Sequence, residues 1–453
     1  KPSIPKGTRD FSPQEMRRRN YIFDTIKMAF ESYGFNQIET PSMENLATLT
    51  GKYGEEGDRL IFKILNRGDK FLKSIKGVNV EDTSLSAMEF SLCDQGLRYD
   101  LTVPFARYVV QHQNELSFPF KRYQIQPVWR ADRPQKGRYR EFFQCDADII
   151  GSNSLLNEID LIQIISTVFD SLKIDGVVIK VNNRKILTAI AELTGQPDKI
   201  IDITVAIDKL DKIGEQGVVQ ELLSKGVKEA SISFIKPLLN LKGNNNLILN
   251  ELNEIICSSD IGSKGIEELE FIVNYFLKNP LKNATLQLDM NLARGLNYYT
   301  GAIFEVVVKG ASVGSVSGGG RYDDLTGVFG LKDISGVGIS FGADRIYDVM
   351  SENNLFPDFK RMTTQLLIIN QDVDVYTLNS LANKFRNTGL VTELYPDQSK
   401  LKKQMKYANA LAVPYVLFIS VQNDKHVFEL KNMESGEQSV GDFTSIVNKL
   451  KQL

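Results

Sequence analysis

The clearest alternation of hydrophobic and polar positions lies between residues 120 and 151. Two runs there, 121–130 and 139–150, alternate with a period of two, and a loop of Asp, Arg, Pro, Lys and Gly residues separates them. This period is typical of β-strands that bury one face. The pattern therefore predicts a β-hairpin with an unusually long, basic loop.

One face of the predicted hairpin is polar. It carries Arg122, Gln124, Gln126 and Arg130 on the first strand, and Arg140, Gln144, Asp146 and Asp148 on the second. If the loop centres near residues 134–135, Arg130 lies across from Arg140, and Gln126 lies across from Gln144. A solvated face with ion pairs at its rim and a binding surface both fit this alternation. The arginines clustered around the loop favour binding of a polyphosphate or a nucleic acid.

An amphipathic helix is predicted near the start of the chain. Ser12, Pro13 and Glu15 form a helix-start pattern of N-cap, first-turn proline and capping box. Residues 35–40 then form a predicted strand that stops before Pro41. This unit fits the edge of a sheet domain and a subunit contact equally well.

A shorter alternating segment covers residues 97–104. It places Arg98, Asp100 and Thr102 on one face of a predicted strand. An aspartate between apolar neighbours needs a partner for its charge. The ammonium group of a ligand and an arginine of the same protein are equally suitable partners for Asp100.

Three glycine-containing segments stand out in the second half of the chain. They are LARGLNYYTG (292–301), GGGRYDDL (318–325) and GVGISFGADR (336–345). The last is predicted as a strand that leads into a helix, with Arg345 in the first turns. Adjacent strand residues face opposite sides, so Tyr298 and Tyr299 share one pocket only if the strand bulges.

The remaining segments define the domain organisation. Residues 185–282 have helical patterns with many Lys and Asn residues and are predicted as a mainly helical insertion. From residue 363 the pattern becomes a compact α/β unit with a mixed or parallel sheet. Its strands are predicted at 365–369, 391–394, 415–420 and 426–431, and its helices at 373–387, 399–411 and 441–450. Lysines at 400, 402, 403 and 406 form a solvated face or an RNA contact.

Composition limits the chemistry. The 453 residues suffice for two or three domains, and a net charge of −2 means that a nucleic-acid partner must meet local basic patches. Three separated cysteines without a CxxC pair argue against a zinc ribbon and a disulfide framework. Two histidines argue against Ser–His or Cys–His catalysis and against a histidine-rich metal site. No apolar run approaches the ~20 residues that span a bilayer, so we expect a cytoplasmic protein.

These segments together resemble the class II aminoacyl-tRNA synthetases along the whole chain. The first helix, strand and Pro41 resemble motif 1, the hairpin resembles motif 2, and residues 336–345 resemble motif 3. The strings LARGLNYYTG and GGGRYDDL resemble the two signatures of the histidyl-tRNA synthetase family. LRYDLTVPFARY, which starts at Leu97, resembles the amino-group-binding segment of that family.

The resemblance implies a histidine site. The residues implied to bind histidine are Asp100, Thr102, Gln144, Asp148, Tyr298 and Tyr299. Asp100 is expected to hold the α-ammonium group, and the two tyrosines are expected to help form the imidazole pocket.

The resemblance also implies an ATP site. Arg130 and Arg294 are the expected catalytic residues, which grip the α-phosphate from opposite sides, and Arg345 is expected to bind the γ-phosphate. Arg294 stands where related synthetases put a metal ion, so no metal site of the protein is expected. ATP is expected to arrive with Mg²⁺, without a tightly bound cofactor. Asn297 and Asp344 stand where the family usually has Asp and Glu, and neither change removes a phosphate-binding arginine.

The implied fold is α+β, with an antiparallel sheet of six or seven strands flanked by helices. Residues 1–184 and 283–361 are expected to form the catalytic domain, 185–282 the insertion, and 363–453 an α/β anticodon-binding domain. The implied activity is ATP-dependent attachment of histidine to tRNA(His) through a histidyl-adenylate. The implied partners are histidine, ATP, tRNA(His) and a second copy of the chain through motif 1, with no membrane.

Three alternatives differ in class. A regulatory subunit that resembles the synthetase and partners ATP phosphoribosyltransferase lacks the C-terminal domain and loses signature residues. A class II synthetase for threonine or proline shares the C-terminal domain type but not the two signatures. A pure RNA-binding or signalling module leaves the clustered arginines without a role.

Overall fold

The computed structural model of the chain describes residues 1–76, 84–293, 298–359, 364–423 and 425–451. These residues form two compact units, Lys1–Phe356 and Pro357–Leu453. None of the described helices is both long and apolar enough to cross a membrane.

The strands of the described residues are β1 (Asn36–Gln37), β2 (Met43–Asn45), β3 (Lys63–Leu65), β4 (Cys93–Leu97), β5 (Phe120–Trp129), β6 (Glu141–Ile150), β7 (Val177–Asn183), β8 (Ala284–Leu288), β9 (Ala302–Val308), β10 (Ser317–Tyr322), β11 (Gly336–Gly342), β12 (Leu366–Ile368), β13 (Thr392–Leu394), β14 (Tyr415–Gln422), β15 (Lys425–Asn432) and β16 (Gln438–Gly441).

The α-helices of the described residues are α1 (Pro13–Ser32), α2 (Leu46–Leu49), α3 (Gly54–Arg59), α4 (Gly68–Lys76), α5 (Leu85–Leu92), α6 (Thr102–Gln111), α7 (Leu156–Ser171), α8 (Arg184–Leu193), α9 (Ile200–Ile207), α10 (Leu210–Ser224), α11 (Glu229–Leu239), α12 (Asn245–Ile256), α13 (Asp260–Lys278), α14 (Ala343–Glu352), α15 (Val375–Arg386), α16 (Leu401–Ala410) and α17 (Phe443–Lys451). Short 3₁₀ helices lie at Pro197–Lys199 and Gly327–Phe329.

A large sheet organises the first unit. Its strand order is β1-β5-β6-β11-β10-β9-β7-β8, antiparallel except for the edge pairs β1–β5 and β7–β8. The predicted α+β class with an antiparallel-rich sheet is confirmed. The predicted number of six or seven strands is too low, because parallel pairing at both edges brings the sheet to eight. A second sheet of three short strands, β2-β4-β3, was not predicted.

The hairpin β5–β6 has the predicted register. Gln126 pairs with Gln144 in the ladder. Beyond the strand ends, the Arg130 backbone N–H donates to the Arg140 carbonyl at 3.0 Å. Register in a hairpin with one buried face is fixed by the alternation itself, because a slip of one residue turns every side chain to the other face.

Helix α1 begins as the sequence predicts. The Ser12 side chain accepts a hydrogen bond from the Glu15 backbone N–H, and the Glu15 carboxylate accepts one from the Ser12 N–H. On the buried face of α1, the Phe30 ring lies 5.6 Å from Tyr123 of β5 and 5.9 Å from Phe341 of β11. Helix α1 therefore packs on one face of the sheet, and the polar side chains of the hairpin lie on the other.

The strand predicted at 97–104 is wrong. Strand β4 ends at Leu97, and helix α6 begins at Thr102. The Asp100 carboxylate accepts a hydrogen bond from the Val103 backbone N–H at 3.1 Å, as a helix-capping group does, and Pro104 fits the first turn. The apparent alternation arises because these residues form a buried loop that leads into a helix.

Helices fill the chain between β7 and β8. Residues 184–283 are all described, and they form α8 to α13 with no strand. Helix α13 packs along α8 and contacts β7 and β9 of the large sheet. This helical segment therefore interrupts the sheet in sequence while it packs on the sheet in space.

The second unit is built on a five-stranded mixed sheet. Its order is β13-β12-β14-β15-β16, parallel in the first two pairs and antiparallel in the last two. The predicted strands and helices are present here with shifted bounds. Elements β12, β13, α15 and α16 are shorter than predicted, β14 and β15 are longer, and α17 begins two residues later and ends one residue later. Strand β16 was not predicted, because its four residues, QSVG, carry no hydrophobic alternation and pair at the sheet edge.

We expect Arg321→Met to lower the free energy of unfolding by about 3–5 kcal/mol, because it leaves the buried Glu158 carboxylate without its counter-charge. Arg321 and Glu158 are 4% and 0% exposed and form a bidentate ion pair at 2.5 and 2.7 Å. Urea unfolding measures the effect. The control is Lys282→Met, which removes a surface pair with Asp170 and is expected to cost less than about 1 kcal/mol. Equal effects of the two variants would contradict the expectation.

Candidate active site

Two cavities lie over the polar face of the large sheet. The larger cavity, of about 260 Å³, is lined by the predicted residues Arg130, Gln144 and Arg345. The smaller cavity is lined by the predicted residues Thr102, Asp148 and Tyr299. Gly318 and Ser340 line both cavities, so the two adjoin. The structure thus brings six of the predicted site residues into one cleft.

Glycines let the strands beneath the cleft approach closely. A Cβ atom at Gly338 would lie 1.9 Å from the Asp148 Oδ1 atom. A Cβ atom at Gly319 would lie 2.0 Å from the Gly338 carbonyl oxygen. Side chains at these two positions would displace the Asp148 carboxylate or separate β10 from β11. The glycine run of the second signature therefore forms the floor of the cleft within a strand, and not a hairpin turn.

Asp100 is buried, two residues before Thr102, which lines the smaller cavity. Its carboxylate accepts hydrogen bonds from the Tyr53 hydroxyl at 2.9 Å and from the Tyr298 hydroxyl at 3.3 Å, besides the Val103 N–H. Burial raises the pKa of Asp100, and these hydrogen bonds and the charge of Arg130 oppose the rise. Within the described ranges no Lys or Arg forms an ion pair with Asp100. The carboxylate therefore has neutral donors and lacks a cation from the described part of the chain.

Tyr299 lines the smaller cavity, and the Tyr298 hydroxyl donates to Asp100. The two tyrosines precede β9 and do not belong to a strand, and their rings pack nearly perpendicular with centroids 5.1 Å apart. That both help form one imidazole pocket stays a prediction. Burial beside Asp100 raises the pKa of Tyr298 well above its ordinary value, so its hydroxyl stays protonated and donates to Asp100.

Asp148 lies at the base of the smaller cavity. Its Oδ2 atom is 2.7 Å from the Arg122 Nη2 atom, and its Oδ1 atom accepts a hydrogen bond from the Tyr322 hydroxyl at 2.6 Å. Burial raises the pKa of Asp148, whereas Arg122 and Tyr322 lower it. Sequence reasoning placed Arg122 on this polar face but assigned it no role. It missed Tyr53 because a lone tyrosine beside no polar pattern gives no signal. It assigned Tyr322 no role, although this residue lies in the segment GGGRYDDL.

Asp146 is the most perturbed carboxyl group of the polar face. Burial raises its pKa to about 7, and the charge of Asp148 adds to the rise while Arg122 opposes it. Asp146 Oδ1, Gln124 Oε1 and Gln144 Oε1 are buried acceptors that have no hydrogen-bond donor among the described residues. A group that is rich in donors fits beside these oxygens.

Three arginines line the larger cavity. Arg138 pairs with Asp132, whereas Arg130 and Arg345 are held by backbone carbonyls. Arg130 Nε donates to the Tyr99 carbonyl at 3.0 Å, and its guanidinium lies 4.2 Å from the Tyr99 ring centre. Arg345 donates to the carbonyls of Gly137 and Ser315 at 3.0 and 2.5 Å. Hydrogen bonds to backbone carbonyls orient a guanidinium group, and oriented guanidinium groups suit a polyphosphate site.

Two residues of the first signature, Arg294 and Asn297, lie outside the described residues. Asp344, by contrast, is placed: its Oδ1 atom lies 2.6 Å from Arg9 Nη2, and it also pairs with Arg19. Within the described ranges no three or more His, Cys, Asp or Glu side chains are arranged to hold a metal ion.

Comparison with known families covers most of the chain. A family model described as histidyl-tRNA synthetase matches residues 82–346. A second, described as anticodon binding domain, matches residues 365–453.

Individual relatives match the full length. A histidine–tRNA ligase of Christiangramia forsetii is 56% identical, covering 100% of this chain and 99% of the relative. One of Bacteroides fragilis is 55% identical, with 99% of each chain covered. The crystal structure of histidyl-tRNA synthetase from Nostoc sp. PCC 7120 superposes with a TM-score of 0.79 at 29% identity and 99% coverage of each chain.

The raised pKa of Asp146 predicts a pH-dependent stability. Because the folded-state pKa of about 7 lies above the ordinary value of 3.8, the proton held by Asp146 stabilises the fold at low pH. That stabilisation is lost as the pH rises through about 7. Asp146→Asn should therefore raise the free energy of unfolding more at about pH 8.5 than at about pH 5, by roughly 2–3 kcal/mol.

Urea unfolding of both proteins at the two pH values measures this difference. The control is Asp175→Asn at an exposed position, which should change stability by less than about 0.5 kcal/mol at either pH. An effect of Asp146→Asn that does not depend on pH would show that Asp146 is ionised in the fold at both values.

Proposed function

This chain belongs to the histidyl-tRNA synthetase family, and we propose how its residues divide the work of that enzyme. The enzyme uses ATP to attach histidine to tRNA. The observation that carries the proposal is the adjoining pair of cavities, one beside buried carboxylates and one beside arginines. A site of this kind suits an amino acid next to a polyphosphate.

Histidine occupies the carboxylate side in this proposal. Asp100 binds the α-ammonium group with Thr102 close by, since its buried carboxylate has only neutral donors among the described residues. Asp148 and Gln144 contact the imidazole side, and the two tyrosines at 298 and 299 enclose the ring. A buried carboxylate that is short of a cation attracts an ammonium group strongly, because the cation restores the charge balance lost on burial.

ATP occupies the arginine side. Arg130 grips the α-phosphate, Arg294 reaches the same phosphate from the opposite side, and Arg345 binds the γ-phosphate. The histidine carboxylate attacks the α-phosphorus, the bond to the β-phosphate oxygen breaks, and pyrophosphate leaves with the negative charge. Placement and preorganised positive charge supply the catalysis, and no side chain needs to transfer a proton. Magnesium enters as the counter-ion of ATP.

The adenylate then passes its histidyl group to the terminal ribose of tRNA(His). We propose that residues 1–184 and 283–361 form the catalytic domain, 185–282 the insertion and 363–453 the anticodon-binding domain. The helical segment α8–α13 between strands of one sheet supports the first two boundaries. A cytoplasmic location follows from the substrates of this reaction.

A homodimer through motif 1 is part of the proposal. The segment from α1 to Pro41 and β2 leaves large apolar side chains in solvent: Met28 is 62% and Met43 is 54% exposed. Exposed apolar side chains near one element suit a contact with a second copy.

ATP–pyrophosphate exchange with each of the twenty amino acids, without tRNA, tests the function. Exchange is expected with histidine alone, because the site pairs an ammonium-binding carboxylate with an imidazole pocket. Exchange with a different amino acid would move the chain to a sister synthetase. No exchange with any amino acid would favour the regulatory relative.

Arg130→Ala should lower the rate of histidine-dependent exchange about 10²–10³-fold, because it removes a preorganised positive charge from the α-phosphate. The matched control is Arg133→Ala, in the same loop, where the arginine is exposed and does not line the larger cavity. Single-turnover formation of the adenylate separates this loss from weaker ATP binding. Equal losses in both variants would show that the loop contributes only general positive charge.

A further inference from the structure

Arg122 is a fully buried arginine of β5 that makes few hydrogen bonds. Its Nη2 atom lies 2.7 Å from Asp148 Oδ2 and donates to the Leu101 carbonyl at 3.4 Å. Its guanidinium carbon lies 4.2 Å from the centre of the Phe105 ring. Its Nε and Nη1 atoms are buried with no acceptor among the described residues. Leaving buried N–H groups unpaired costs free energy that a merely structural arginine avoids.

Arg321 shows what a structural arginine looks like in the same sheet. It donates to both carboxylate oxygens of Glu158, to the Ser335 hydroxyl, and to the carbonyls of Ser152 and Ser154. All of its nitrogens have acceptors. The unpaired Nε and Nη1 groups of Arg122 are therefore not explained by stability of the fold.

The contacts of Arg122 join the two sides of the histidine site. Leu101, whose carbonyl it bonds, lies between Asp100 and Thr102 on the ammonium side. Asp148, its ion-pair partner, lies on the imidazole side. One guanidinium group thus ties the segment that binds the amino group to the strand that faces the ring.

We propose that Arg122 is a positioning residue for histidine. It holds the Asp148 carboxylate ionised and oriented toward the imidazole N–H, and it fixes the distance between Asp148 and Asp100. The inference rests on the proposed function, because it requires that Asp148 contact the substrate. Histidine differs from residues of similar size by its ring N–H groups, so an oriented anionic acceptor contributes to selection of histidine.

The electrostatics agree with this role. The charged and titratable groups that face Asp148 from the surrounding elements are Arg122 on β5, Asp146 on β6, Tyr322 on β10, Tyr299 before β9 and Asp100 before α6. Within the part of the chain that the structure describes, Arg122 is the one cation of that set. Since burial raises the pKa of Asp148 and Arg122 opposes the rise, loss of Arg122 lets Asp148 keep its proton to higher pH.

The test is Arg122→Met, assayed by histidine-dependent ATP–pyrophosphate exchange between about pH 6 and 9. At pH 7 we expect kcat/KM for histidine to fall about 10- to 100-fold. The reason is that the imidazole N–H of histidine loses its hydrogen bond to a charged Asp148 carboxylate. The ratio of variant to parent should recover as the pH rises, because Asp148 then ionises without Arg122. The ratio of variant to parent cancels the titration of the substrate histidine, which affects both proteins equally. In Arg122→Met, KM for ATP should change less than about threefold.

Two further variants separate this role from a general effect on folding. Arg98→Met removes another fully buried arginine, which bonds the Thr40 and Pro127 carbonyls and Gln126 Oε1. Its Nη2 atom also lacks an acceptor, but Arg98 forms no ion pair among the described residues. If the ion pair with Asp148 matters and not an unpaired N–H group, Arg98→Met should leave the pH dependence of the histidine kcat/KM unchanged. Arg122→Lys keeps the positive charge but replaces the planar guanidinium group by an ammonium group. It should raise KM for histidine about fivefold or more without moving the pH profile.

Asp148→Asn distinguishes failure of this inference from failure of the proposed function. If Asp148→Asn leaves KM for histidine unchanged, Asp148 does not contact histidine and the proposed site is wrong. If Asp148→Asn weakens histidine binding while Arg122→Met gives a ratio that does not vary with pH, the positioning role is overturned. Should Arg122→Met fail to fold, an unchanged KM for histidine in Arg122→Lys overturns it instead.

Discussion

The constraint on which the rest of the structure depends is the burial of three carboxyl groups, Asp100, Asp146 and Asp148, on one face of a sheet. A buried carboxylate is costly unless donors or cations surround it. Among the described residues, tyrosine hydroxyls and the Val103 backbone N–H donate to Asp100 or Asp148, and Arg122 pairs with Asp148. In the proposed function, a substrate that brings positive charge and N–H groups adds to these contacts.

The hydrophobic face of the same sheet makes this possible. Helix α1 packs on it through Phe30, and the interior of the unit is apolar on that side. A rigid support lets the strained polar face persist, because the apolar core fixes the strand positions that the carboxylates depend on. Glycines at 319 and 338 then bring the strands close enough for Asp148 to lie at the base of the cleft. The buried acids and the apolar core thus occupy opposite faces of one sheet.

Local patterns predicted much of this arrangement. The register of β5 and β6 followed from alternation, because the side-chain period of two allows only one pairing that buries the apolar set. The start of α1 followed from Ser12 and Glu15, which interact with each other and need no distant partner. A prediction failed where distant contacts decide the local conformation. Residues 97–104 resemble a strand, yet they form a loop and the start of α6, and the Asp100 carboxylate accepts a hydrogen bond from the Val103 N–H.

By itself the sequence determined the family, the hairpin that carries the arginines and acids, and the composition that excludes histidine-based catalysis. The tertiary structure alone decided which groups surround each charge. Asp100 receives its donors from Tyr53, 47 positions before it, and from Tyr298, 198 positions after it. Arg122 meets Asp148 across the hairpin, as the register of β5 and β6 requires, but its contact with the Leu101 carbonyl comes from a loop. The pKa of a buried acid is set by such neighbours and by desolvation, and neither is encoded in the residues adjacent in the chain.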